Sequence, residues 1–190
     1  MPVCEFLVSQ DIAINCSSPI FAGLKPLGII INKNDIASIS QTGNVVDSIV
    51  LKSGKKGYQI EQMGQQPFNG TNNEMQEGDV MNTFNKVVNF IVLDNNPDVS
   101  AKVIEPMANG EFVVIIRNKY NLEAKKNGYE IIGLDKGARA TSIVQNKYEN
   151  MGGWACELTE TETPNPSTFF FDTDNDTTET ALAALLVPAE

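Results

Sequence analysis

The sequence predicts a β-rich α+β fold. Runs of β-branched residues bounded by Asn, Gly and Pro recur through 28–161, only two segments carry helix-entry signals, and 42% of the 190 residues are hydrophobic. That length and share suffice for one packed core. Three regions follow from the composition: an N-terminal arm or first strand over 1–27, a β-rich domain over 28–162, and an acidic C-terminal arm with a short helix over 163–190.

Within 1–27, short apolar pieces are broken by Ser17, Ser18, Pro19 and Pro26, so Val8–Cys16 reads as one strand or as extended arm. Gly28–Asn32 and Ile36–Ser40 are β-branched runs that favour strands. Val45 to Leu51, the Lys52–Gly57 turn and the alternating Tyr58–Met63 predict a β-hairpin over 44–63. Residues 64–78 hold no periodic pattern and predict a long structureless loop, the kind that reaches another subunit. A strand is expected over 83–93.

Asn96, Pro97 and Asp98 supply a cap, an N1 proline and a first-turn acid for a helix over 97–108. Gly110 reads as its C′ residue, and Pro106 should fray the last turn. Strands follow at 111–117, 129–134, 140–144 and 154–161, with a polar loop over 121–128. The strands on either side of the helix should be parallel, or else lie in different sheets. Trp154, Cys156 and Leu158 should share one side of the last strand. After Pro164 and Pro166, the triplet Phe169-Phe170-Phe171 is too apolar to sit in water without cost. Asp176 and Glu179 have capping-box spacing for a helix over 177–187, which Pro188 ends.

Charge is divided sharply along the chain. The net charge is −10, and beyond Lys147 there are nine acids and no Lys or Arg. Such a balance argues against a broad nucleic-acid-binding face, which needs clustered basic residues. The chain has no histidine, which removes the commonest general base at neutral pH and most transition-metal sites. Cys4, Cys16 and Cys156 form no CxxC pair and cannot alone supply the four ligands of structural zinc. Asp172, Asp174 and Asp176 open like a calcium loop, but Thr177 and Ala183 stand where Gly and Glu are required. No phosphate-binding glycine loop is present, and no apolar run is long enough to span a bilayer. Catalytic residues, cofactors and metals are therefore not expected, and neither is an enzyme.

The stretch Asn85–Val99 (NKVVNFIVLDNNPDV), with Gly110–Tyr120, Gly128–Asp135 and Gly152-Gly153-Trp154-Ala155, resembles a family of virion structural proteins from tailed phages of Bacteroidetes-type hosts. The resemblance covers about 80–160. It implies a tail-tube-like fold, a β-sandwich or small barrel flanked by one helix, with extended terminal arms. It also implies a subunit that self-assembles into rings, a hexamer or higher, which conduct DNA without sequence-specific binding. Such a protein is assembled in the host cytoplasm and resides in the virion tail, against other tail or connector proteins and no membrane. A head-to-tail connector, a tail terminator, a capsid-associated protein or a soluble β-sandwich binding module are the alternatives.

Candidate subunit contacts are Lys52, Lys55 and Lys56 at a turn, Phe68 and Met75 in the long loop, and Phe169, Phe170, Phe171, Leu182, Leu185 and Leu186 in the arm. The arm's two apolar anchors have two possible seats, their own domain or a neighbouring copy.

Overall fold

The computed structural model describes residues 7–12, 22–119 and 126–189. Cys4, Cys16 and residues 13–16 of the expected first strand lie outside the described residues, and Val8–Ile12 form no strand.

Two β-sheets make up the fold, and among the described residues neither closes into a barrel. The larger has seven strands: β1 (Leu24–Asn32), β2 (Ile36–Thr42), β3 (Val45–Leu51), β4 (Tyr58–Glu61), β7 (Phe112–Asn118), β8 (Tyr129–Ile132) and β11 (Thr168–Phe170). Their order is β2-β3-β11-β8-β7-β1-β4. The smaller holds β5 (Asn72–Gln76), β6 (Thr83–Val92), β9 (Arg139–Gln145) and β10 (Trp154–Thr163), in the order β5-β6-β10-β9.

β7 shows why the larger sheet sits at the centre. Its continuous apolar run Phe112–Ile116 is buried on both faces. Phe112, Val114 and Ile116 join Val88, Phe90, Cys156 and Leu158 of the smaller sheet in one core cluster. Val113 and Ile115 point the other way, into a second cluster with Phe170, Leu182 and Leu185.

Helix α1 runs continuously through Pro97–Val99, a π-turn at Ser100–Ile104, and Glu105–Asn109. Asn96 caps it as expected, its side chain accepting the Val99 N–H at 2.8 Å. Pro106 does not fray the end. The wider turn just ahead of it, where Glu105 N–H reaches Ser100 O, accommodates a residue that cannot donate to the helix ladder. Gly110 is extended rather than left-handed (φ −95). Its role is space, since a Cβ there would lie 2.5 Å from the Phe112 ring. The flanking strands β6 and β7 belong to different sheets, the second of the two arrangements expected.

Pairing over 44–63 differs from expectation. β3 pairs with β2 in an antiparallel hairpin, while β4 crosses to the opposite edge and pairs with β1. Residues 52–55 close a turn, Lys55 N–H donating to Lys52 O at 2.9 Å, but the C-terminal segment then holds 54–57 and leads the chain away from β3. Gly57 N–H donates to Leu185 O at 2.6 Å, Gly54 N–H to Ala189 O at 2.7 Å, and Ala189 N–H to Lys55 O at 2.9 Å.

The expected structureless loop over 64–78 also needs correction. Its second half is β5, paired with β6, and its first half delivers Phe68 into the core between the sheets. Gln62 anchors the approach. Its buried side-chain amide accepts from Ile91 N–H at 2.8 Å and donates to Ile91 O at 3.0 Å, as a neighbouring peptide group would.

The C-terminal segment enters the centre of the larger sheet. β11 runs parallel to β3 on one side and antiparallel to β8 on the other. Helix α2 (Asn175–Ala184) follows and buries Leu182. Its cap is Asp174, not Asp176: Asp174 accepts from Thr177 N–H, and Thr177 Oγ1 accepts from Asp174 N–H. The Thr177 N–H, and then the Thr177 hydroxyl donating to Oδ1 at 2.9 Å, hold the Asp174 carboxyl below the ordinary carboxylate value. Glu179 is thereby freed for a different contact.

Candidate functional site

β6 carries an inward row of Phe84, Lys86, Val88 and Phe90, and β10 a facing row of Cys156, Leu158 and Glu160. Lys86 and Glu160 are directly opposite, both fully buried, with Nζ 3.6 Å from Oε2. Glu160 is well supplied with donors. Gly133 N–H reaches Oε2 at 2.9 Å, and Asp135 and Lys136 N–H reach Oε1 at 2.8 and 2.9 Å. The turn after β8 thus wraps the carboxylate in backbone donors, a concave anion seat. Gly133 permits this wrap with φ +91 and no Cβ, which would fall 2.1 Å from Phe112 O. Lys86 is less well served, because its Nζ has no hydrogen-bond partner.

On the other side of Lys86, β5 places Asn73 directly opposite. Asn73 Nδ2 donates to Glu130 Oε1 at 2.7 Å and to Ser167 Oγ at 2.9 Å. Asn73 and Glu130 line a groove of about 730 Å³ whose walls include Gln65, Asn72, Asn118 and Lys119. Amides dominate this lining, which suits hydrogen bonding to neutral polar groups.

A second polar cluster lies under α2. Arg117 Nη2 donates to Glu179 Oε1 at 2.6 Å, and the Tyr129 hydroxyl donates to the same oxygen at 3.3 Å. The guanidinium also stands 5.3 Å from the centre of the Tyr129 ring. Burial raises the Tyr129 pKa from 10.0 to about 12; Arg117 opposes the shift and Glu179 reinforces it. Tyr129 therefore contributes stability that is complete below 10.0 and is lost as pH rises to about 12. Tyr129→Phe should flatten the stability profile across that window, as read by urea unfolding at stepped pH. An unchanged alkaline slope would rule the residue out. Burial likewise raises the Cys156 thiol to about 11, so it is not a nucleophile at neutral pH.

The expected contact residues divide into two groups. Phe68, Phe170, Phe171, Leu182 and Leu185 are buried in this chain's own core. Phe169 and Leu186 are half-buried. Met75 is 54% exposed on β5. The lysines have partners within the chain: Lys52 Nζ donates to Asn34 O, Lys55 pairs with Asp35 at 3.3 Å, and Lys56 lies 5.6 Å from the Tyr58 ring centre. Hydrogen bonding from Asn32, then Lys55, lowers the Asp35 pKa. Lys86, Asn73 and Glu130 carry no signal in the sequence. Glu160 reads there, with Glu157 and Glu162, as one of a group of carboxylates on an edge-like strand, whereas β10 lies between β6 and β9 and turns Glu160 inward.

Among the described residues, no group of three or more His, Cys, Asp or Glu side chains is placed to hold a metal ion. No described helix is long and apolar enough to cross a membrane. No family model, curated protein or solved structure matches this chain.

Proposed function

We propose that the chain is a structural subunit of a tailed-phage virion, a two-sheet sandwich that self-assembles into rings of the tail tube. The observation that carries this reading is the edge of the larger sheet. β2 has no charged residue, and six of its seven residues are exposed. An edge strand in a protein that works alone is usually blunted by charge, proline or a covering segment. Here the blunting is limited to two register shifts against β3. The smaller sheet ends at β9, which carries Arg139 as its one charge and has the Glu105–Asn109 half of α1 packed beside it. The uncharged β2 edge, set against an unlike edge of the next copy, favours head-to-tail pairing, which closes into rings when the rotation permits. The net charge of −10 suits a conduit that lets DNA pass, because like charge repels the phosphate backbone.

Light scattering and negative-stain imaging across concentration test the proposal. Rings or tubes with a central channel are the expected result. A 20.7 kDa monomer at every concentration would overturn it.

A further inference from the structure

We propose that copies of this chain also join end to end, the turn between β9 and β10 of one copy docking on the β5–β6 hairpin of the next. The registers of β6, β10 and β9 put Val92, Trp154 and Gln145 at one end of the smaller sheet, so the turn over 146–153 caps that end. The β5–β6 turn over 77–82 caps the other, roughly 30 Å away along the ten residues of β6. Both ends hold large apolar side chains out of the protein. At the first, Tyr148 is 99% exposed and Met151 87%, with Val144 exposed beside them. At the second, Val80 is 98% exposed, and Met75 and Met81 are exposed with it.

The first end is held in place. Gln145 Nε2 donates to Asn95 Oδ1 at 2.6 Å and to Gly152 O at 3.1 Å, and Asn95 Nδ2 donates to the same carbonyl at 2.7 Å. Two successive residues other than glycine, Asn150 and Met151, are left-handed there (φ 51 and 56). That conformation is unfavourable for methionine and persists only where neighbouring bonds over-determine it. The hairpin is tied too: Asn82 Oδ1 accepts from Gly78 N–H at 3.3 Å, and Asn82 Nδ2 donates to Met75 Sδ at 3.6 Å. Turns already ordered lose little freedom on docking, and aromatic and methionine side chains are those enriched in interface cores. The two ends are unlike and lie on one molecule, so contact between them is heterologous and repeats from copy to copy. Charge disfavours hairpin on hairpin, which would set Glu77 and Asp79 of both copies together with no base in either turn. The turn over 146–153 offers Lys147 beside Glu149. This contact rests on the reading of the chain as a self-assembling subunit, and through it one ring would stack on the next.

The test uses two double variants of the full chain, one with Tyr148→Ser and Met151→Ser, the other with Val80→Ser and Met81→Ser. All these positions are exposed, and folding is checked by circular dichroism. Negative-stain imaging and analytical ultracentrifugation should find stacked rings or tubes for the wild-type chain and single rings for each variant alone. Mixing preformed rings of the two variants should give double rings that grow no further, because each variant keeps the end that the other lacks. A variant that stacks like the wild-type chain would overturn the proposal and leave the ring reading standing. So would a mixture no different from its components. Linear strings of wild-type copies, lost in both variants and never closed into rings, would uphold the end-to-end contact and sink the ring reading. A wild-type monomer at every concentration would overturn both.

Discussion

Deleting residues 163–190 should abolish the fold. The deletion removes β11, the strand that connects the β2–β3 hairpin to β8 within the larger sheet. It also removes Phe170, Phe171, Leu182 and Leu185, all buried. Fully burying such side chains contributes about 1.5–3 kcal/mol each, so the four account for about 6–12 kcal/mol. The whole stability of a domain is of the order of 5–15 kcal/mol. Circular dichroism and urea titration of the truncated chain should show no cooperative transition. A folded truncation that merely failed to assemble would mean that this segment serves neighbouring copies and that its place in the sheet is dispensable.

Glu160→Ala is the single substitution with the largest expected cost, about 3–5 kcal/mol. It leaves the Lys86 amine facing nothing and strips three backbone N–H groups of their acceptor in one change. Buried donors left without partners cost more than the bond they made was worth. Glu74→Ala, at an exposed position on β5, should stay within about 0.5 kcal/mol. Comparing their urea midpoints checks the argument. A loss below about 1 kcal/mol for Glu160→Ala would show that water or a shifted turn replaces the carboxylate.

Local structure was legible where composition decides it. The β-branched runs at 28–32, 36–40 and 154–161 fall within strands, and the strands expected over 83–93 and 111–117 each miss by one residue, Leu93 and Glu111 lying just outside. The Asn96-Pro97-Asp98 start of α1 could be read because a cap acts within one turn. Pairing could not be read, since it depends on segments far apart in the chain. The partner of β4 is set by the contact between 52–57 and the residues after α2. β11 is only three residues long and looks like an apolar patch until β3 and β8 are in place around it. The polar core was hidden for another reason. Alternation puts Lys86 on the Phe84, Val88 and Phe90 face of β6, but a lone lysine in such a row reads as a break in the pattern until Glu160 of a distant strand is placed opposite it.

The position of β11 also sets a timetable for synthesis. The β2–β3 hairpin leaves the ribosome early, yet its neighbour in the sheet is the segment 168–170, the last strand to be made. Until then β3 and β8 each present an open backbone edge inside the nascent molecule. The larger sheet can therefore close only as a late step, and pairing between such distant segments is slow. During that interval a growing chain exposes edges that the finished one conceals, which makes crowding on a polysome its period of greatest aggregation risk.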